Sequence, residues 1–464
     1  MALGLRFADS ETLHIREEFI EFTIVDDLRS ESLGQFILSR IEKLGLDMKL
    51  CRGQGYDGAP NMSGHLSGAQ AFISSKYPLA KYVHCIAHSL NLVLTDSSKI
   101  AEIKHCMMVI RETVNFFHFS AKQSAILKTY TALNLIGLCE TRWVKRHDAI
   151  QISKQLIVPI FKALEEIETD GDSVTLSKAR SLLNNILSLD YIVTLIVMDF
   201  FLGYTLNLSK LLQSENIDMV MCIQCVESVT KMFKEIRNSA EGRFHQLFLE
   251  ATRLCRELEV TLVMLRKRNF FTIPSDIPAE KHIEFYYRVS IFLPFVDQLI
   301  QSIESRFTKH KVTLKGLGGI LPSFVVKQPS SDLKELIKLY ASDLTSSDST
   351  VMAELELWRA KWLKVVPSLF PKIAVQSLAE CECGIFPNIY KLLSIFCVIP
   401  TSTACVERSF SSIKRIKTYL RSRMSEDRLN GLTLLNVHRD VLVSVDEILE
   451  KFAISSPRRL QFKV

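Results

Sequence analysis

A strong charge bias is missing: 57 Lys and Arg stand against 51 Asp and Glu, leaving a net +6 over 464 residues. That is only a weak pull toward polyanions. The start, Met1-Ala-Leu-Gly-Leu-Arg-Phe-Ala-Asp9, has neither a basic opening nor a long apolar core, so it does not read as a secretory signal. Long uninterrupted apolar runs are missing too. The most lipid-like stretch, Leu182 to Leu212, carries Asn184, Asn185, Asp190 and Asp199, which are costly in hydrocarbon. It reads as a buried helix, and no membrane partner is expected. Eleven cysteines are present, but Cys222 and Cys225 have no second pair at zinc-ribbon distance. Cys381 and Cys383 sit too close together for a finger knuckle. The reading is reduced, mostly buried thiols of an intracellular protein. No internal repeat or long low-complexity tract is seen.

The length suits two or three lobes. Residues 3–27 alternate like two strands with a turn near Asp9-Ser-Glu, and the next segment has helical spacing at Leu33, Phe36, Ile37, Ile41 and Leu44 until Gly45 stops it. A strand from Leu46 to Arg52 is expected to lead into a glycine-rich turn. Helices are expected at 66–76, 85–99 and 100–118, and a strand at Leu135-Ile-Gly-Leu-Cys139. From Val144 to about Tyr390 the apolar period is helical almost throughout, with 343–350 the most linker-like stretch. The expected division is 1–143, 144–390 and 391–464. The fold class is α/β with a large all-α insertion.

Two acidic residues 350 positions apart stand out. Asp57 follows a strand and lies between Gly55 and Gly58, where a carboxylate points into the crevice of an α/β sheet. A plain turn aspartate has the same appearance. Glu407 lies at the border of an apolar helical face made by Val406, Phe410, Ile413, Ile416 and Leu420, in a heptad-spaced row with Lys414 and Arg421. Together the two could be ligands of a divalent-metal site for phosphoryl transfer, a site that ordinarily needs a third carboxylate. Cys85 and His88 are helical neighbours that could form half of a zinc site or simply pack. Trp143 stands among Arg142, Lys145, Arg146 and His147, as a base-stacking platform ringed by phosphate-binding cations would, or as a core indole with surface cations around it. Lys414, Arg415, Lys417 and Arg421 form either a phosphate track or a solvated helix face.

Taken in order, these blocks resemble the hAT-superfamily transposases, including the MYM-type zinc-finger proteins with a hAT-derived body. The resemblance rests on Gly55-Tyr-Asp-Gly-Ala-Pro-Asn-Met-Ser-Gly64, His84-Cys-Ile-Ala-His-Ser-Leu-Asn-Leu92, Cys139-Glu-Thr-Arg-Trp143 and Tyr287-Arg-Val-Ser-Ile-Phe-Leu-Pro-Phe295. It continues through Ile399-Pro-Thr-Ser-Thr-Ala-Cys-Val-Glu-Arg-Ser-Phe410, Leu420-Arg-Ser-Arg-Met-Ser-Glu-Asp-Arg-Leu-Asn-Gly-Leu432 and Asn436-Val-His-Arg439. It implies an RNase H-like core interrupted by a helical domain, with a dimerisation region at roughly 350–440. It also implies a catalytic set of two aspartates and a glutamate around two divalent ions. By motif, Asp57 takes the second-aspartate role and Glu407 the glutamate role. Trp143 matches the tryptophan that stacks near the DNA end, and Cys85 and His88 match the family's Cys-x-x-His pair.

Two elements of the family pattern find no counterpart here: the first strand with its aspartate, and the N-terminal zinc finger. The expectation is therefore an incomplete, N-terminally truncated core with a disturbed sheet of three or four strands, and no catalysis by this chain. It would act as a homodimer or higher oligomer through its C-terminal region, with DNA as a possible partner. No cofactor is expected, with Mg or Mn required only if a full-length form is active. By family resemblance the location would be nuclear, otherwise cytoplasmic. The alternatives are a truncated form of an active metal-dependent transposase and a helical scaffold that binds only proteins.

Overall fold

The computed structural model describes residues 1–9, 15–138, 143–169, 172–212, 219–262, 279–327, 333–418, 423–439 and 441–455. Four strands are present among these residues, in two separate ladders rather than one sheet. Strand β1 (Ala2–Ala8) pairs antiparallel with β2 (Ile15–Phe22), with a bulge between Leu3 and Gly4. Strand β3 (Gly53–Tyr56) pairs parallel with β4 (Lys81–His84). The expected α/β part is thus sparse, and the described residues are mostly helical.

Local chemistry explains the elements that frame the first ladder. The helix Ser30–Lys43 buries Leu33, Ile37 and Ile41 and ends where Gly45 takes a φ of +73°. That left-handed conformation is open to glycine at little cost, and it lets the Leu46 N–H return to the Ile41 carbonyl. The chain does not then enter a strand over 46–52. Asp47 accepts from the Lys49 N–H and starts a single 3₁₀ turn, Met48–Leu50, so pairing begins only at Gly53. Residues 53 and 55 point to the same side of β3. A Cβ at either glycine would run into the Pro400 ring, so the glycines seat the 399–401 segment directly on the strand.

The helices share one large core running from Val83 to Ile399. The helix Leu189–Leu212 is long and apolar enough to cross a membrane, yet Tyr191 to Met198 are all buried inside the protein. Lys154 meets Asp199 on its flank and Tyr287 donates to Asp190 at 2.6 Å, so polar residues that are costly in lipid have protein partners. The segment Tyr287 to Phe295 is part of this core. It contains a π-helical stretch, Arg288–Phe292, that turns Phe292 and Phe295 onto Phe201. The expected helical stretch after Val144 opens as separate helices, Trp143–Gln155, Ile157–Thr169, Ser173–Ile186 and Leu189–Leu212.

Two further expectations are corrected. Residues 134–138 form no strand; they lead to the helix that begins at Trp143. Residues 343–350 are no loose linker. Asp343 is in a buried ion pair with Arg52, the Thr345 N–H donates to Asn388 Oδ1 at 3.0 Å, and a helix begins at Asp348.

The C-terminal helices Ala404–Ile416 and Glu426–Val437 close back on the β1–β2 hairpin. Phe19, Phe22 and Leu429 form the buried centre, and the Phe410 ring lies 5.5 Å from that of Phe22. Asn430 clamps the strand with its amide: Oδ1 accepts from the Phe22 N–H at 2.7 Å and Nδ2 donates to the Phe22 carbonyl at 2.8 Å. His438 faces Glu18 with one ring nitrogen and the Phe19 carbonyl with the other.

Candidate functional site at the Asp57 turn and the Glu407 helix

The Asp57 turn and the segment that carries Glu407 both meet the Cys85–His88 turn. β3 delivers Asp57 just beyond its last residue, Tyr56, and β4 delivers His84 just before Cys85. Cys85 is the N-cap of the helix Ile86–Ser97: its Sγ accepts from the His88 N–H at 3.4 Å. The same sulfur accepts from the Thr403 N–H at 3.4 Å, and the Ile86 N–H reaches the Thr401 carbonyl at 3.0 Å. The segment that carries Glu407 is therefore pinned to the end of β4. Thr403 Oγ1 then donates to Glu407 Oε1 at 2.9 Å.

On the other side the Asp57 turn leans on the histidines. A Cβ at Gly58 would lie 2.7 Å from His88 Nε2, so a larger residue would have to displace the His88 ring. The His84 and His88 rings meet edge to face at 5.6 Å, and the Tyr82 hydroxyl lies 3.2 Å from His84 Nδ1. Burial, with His88 beside it, holds His84 below the ordinary histidine range. Burial pushes Tyr82 up to about 12 and raises the Cys85 thiol despite the Thr403 and His88 N–H groups. Cys85 Sγ thus serves as a capping acceptor for two backbone N–H groups.

As a cradle for a pair of Mg²⁺ or Mn²⁺ ions, the residues present do not fit. Such ions want oxygen donors around each centre, near-octahedral for Mg²⁺. Asp57 and Glu407 are both exposed, and each is turned onto its own chain, Asp57 onto the Ala59 N–H and Glu407 onto Thr403. Beside the Asp57 turn stand the imidazole rings of His84 and His88. Among the described residues no group of three or more His, Cys, Asp or Glu could hold a metal ion. No catalytic step is derived through such a pair.

The remaining sequence candidates are scattered. Arg142 and Arg421 lie outside the described residues, as do the side chains of Trp143 and Lys145. Arg146 is 5% exposed, so its guanidinium does not lie on the surface as the phosphate contact the sequence suggested; it belongs to the inward face of the helix Trp143–Gln155. Lys414, Arg415 and Lys417 are exposed on or just after the helix Ala404–Ile416. Pattern reasoning missed the structural residues that assemble the site: Thr403 as the second donor to Cys85, Pro400 on the glycines of β3, and Arg52 paired with Asp343. The only signal for the first was the Pro-Thr-Ser-Thr string, a turn-forming composition that does not name its partner.

Comparisons with known proteins follow the two ends of this assembly. Residues 1–68 match the ZMYM1/FAM200, RNase-like domain, and residues 350–441 match the hAT family C-terminal dimerisation region. Along nearly its whole length the chain is similar to the 52 kDa repressor of the inhibitor of the protein kinase from Homo sapiens, 27% identical over 468 residues covering 97% of this chain. The same-named protein from Mus musculus is 27% identical over 469 residues. The chain spans 61% of the length of these relatives. Over residues 350–441 the chain is thus similar to a hAT-family region.

Proposed function

We propose that this chain is a transposase-derived protein that works by self-association through its C-terminal region and not by cutting or joining DNA. The observation that carries this reading is the match of residues 350–441 to a dimerisation region. Those residues build the helices that embrace the β1–β2 hairpin while leaving Leu357, Leu363, Leu369 and Leu435 exposed. Separate exposed leucines are ordinary; several of them on one region already matched to a dimerisation module fit an interface. The two carboxylates of the candidate site favour inactivity, since they offer too few oxygens for two-ion chemistry. The relatives' name describes a repressor, a role that self-association can serve without catalysis.

Sedimentation equilibrium of the full chain tests the reading: a dimer or higher oligomer at micromolar concentration is expected, and a monomer across the whole range refutes it. Strand cleavage of duplex DNA in Mn²⁺ that is lost in Asp57→Asn would refute the inactive half.

A second reading is favoured by the exposed cations Lys414, Arg415 and Lys417. They would contact nucleic-acid phosphates while dimerisation sets the spacing between two copies, and a nuclear location would accompany that role. Each phosphate contact contributes about 0.9 to the slope of log affinity against log salt for duplex DNA. Changing all three to Ala should lower that slope by about 2–3. An unchanged slope rejects them as the track.

A further inference from the structure

Beyond residue 441, where the dimerisation match ends, the chain forms one more helix, Val445–Ser455. Every residue from Val441 to Ile454 is exposed. The helix is nonetheless amphipathic. Val445, Ile448 and Leu449, with Phe452 a turn further on, share the i, i+3, i+4, i+7 stripe of a buried face, and Asp446, Glu447, Glu450 and Lys451 occupy the other side. Val445 is 67% exposed, and Ile448 and Leu449 about half. A helix of 11 residues is marginal in water by its own hydrogen bonds; tertiary cover of the apolar stripe supplies most of the stability of such helices. Here Val445, Ile448 and Leu449 belong to none of the chain's buried clusters.

We propose that this helix is an arm that packs against the same helix of a second copy of this chain. The proposal rests on the self-association reading and adds to it a contact outside the matched region. Two features choose a second copy as the occupant. The helix begins four residues after the dimerisation match ends, and Leu442 and Val443 between them are exposed. The stripe is also self-complementary. An antiparallel crossing with its two-fold axis between residues 448 and 449 sets Ile448 of one copy opposite Leu449 of the other and Val445 opposite Phe452, as an isologous interface requires. A helix pair this short cannot by itself supply the roughly 1,200–2,000 Å² of a stable interface. The arm therefore extends a contact that begins within 350–441.

The test is sedimentation equilibrium on the full chain and on the double variant Ile448→Glu/Leu449→Glu, with thermal melting of both. Because the side chains are exposed in the single chain, the melting temperature at a concentration where both proteins are monomeric should be unchanged. Four charges buried in the crossing, two from each copy, should weaken the dimer by about tenfold or more, the loss expected when central apolar anchors are replaced. In the chain carrying Ile448→Cys, oxidation should give a covalent dimer, because residue 448 lies beside the two-fold axis. A wild-type dimer that the double variant leaves equally tight overturns the arm while leaving the self-association reading standing. A wild-type monomer overturns both. Loss of the dimer together with a lowered melting temperature of the monomeric double variant also counts against the arm, since it would mean that the helix packs on its own chain.

Discussion

Replacing Asp343 by Ala should cost the native state about 3–5 kcal/mol, the penalty for leaving one member of a buried ion pair without its partner. The structure sets up this case closely. The side chains of Arg52 and Asp343 are each 8% exposed. The pair is bidentate: Arg52 Nε donates to Asp343 Oδ2 at 2.7 Å, and Nη2 donates to Oδ1. Arg52 Nη1 is spent on the Lys49 carbonyl at 2.6 Å and the Cys51 carbonyl at 3.1 Å. With the carboxylate gone, the guanidinium keeps those two carbonyls and no counter-charge. An exposed pair would be worth at most about 1 kcal/mol, and its loss would scarcely register.

The assay is hydrogen exchange by mass spectrometry, read on peptides covering β3 and β4 and compared with global protection elsewhere. Arg52 immediately precedes β3, so exchange there should accelerate first, which a denaturant midpoint alone would not reveal in a chain this large. The double variant Arg52→Met/Asp343→Leu should recover most of the loss, because removing both charges also removes the desolvation cost. The reasoning fails if Asp343→Ala costs under about 1 kcal/mol, the range of an exposed pair, or if the double variant is no more stable than the single.

Three further outcomes are expected. Asn430→Ala removes both hydrogen bonds to Phe22 and should destabilise by about 1–3 kcal/mol, two bonds at about 0.5–1.5 each, with faster exchange in β2; an unaltered β2 would show that the C-terminal helices do not hold the hairpin. Burial pushes the Asp96 carboxyl up, but hydrogen bonds from Lys99, Arg306 and Ser302 outweigh it and hold it at about 2, below the ordinary 3.8. Its contribution is therefore complete above pH 3.8 and lost as the pH falls toward 2. Asp96→Asn should lower stability at neutral pH and flatten the acid limb in that window, and a parallel limb would contradict the assignment. Gly58→Ala drives a methyl toward the His88 ring and should cost about 1–3 kcal/mol as an overpacking change; no cost would mean that the Asp57 turn does not rest on His88.

What the sequence made legible was local. Helical spacing at Leu33, Ile37 and Ile41, with Gly45 as the stop, needs only near neighbours to be true, and it holds. Strand 46–52 failed for an equally local reason: Asp47 can bond the Lys49 N–H, and that side chain competes with pairing before β3 begins. Pattern reading could place Asp57 and Glu407 in one neighbourhood only through a resemblance, because nothing within either segment points to the other. The physical link is Cys85. Its Sγ lies where the helix Ile86–Ser97 needs an N-cap acceptor and where Thr403 needs a partner for its N–H. A sequence shows that a cysteine precedes a helix, but it cannot show that a backbone amide 318 residues away completes the same cap. That shared sulfur also changes what the Cys-x-x-His spacing means here. In a metal site the sulfur would face an ion; in this fold it accepts from two backbone donors. Cys85→Ser, which retains an acceptor of smaller radius, should therefore preserve the Glu407 segment far better than Cys85→Ala. A metal site would make the two variants equally damaging.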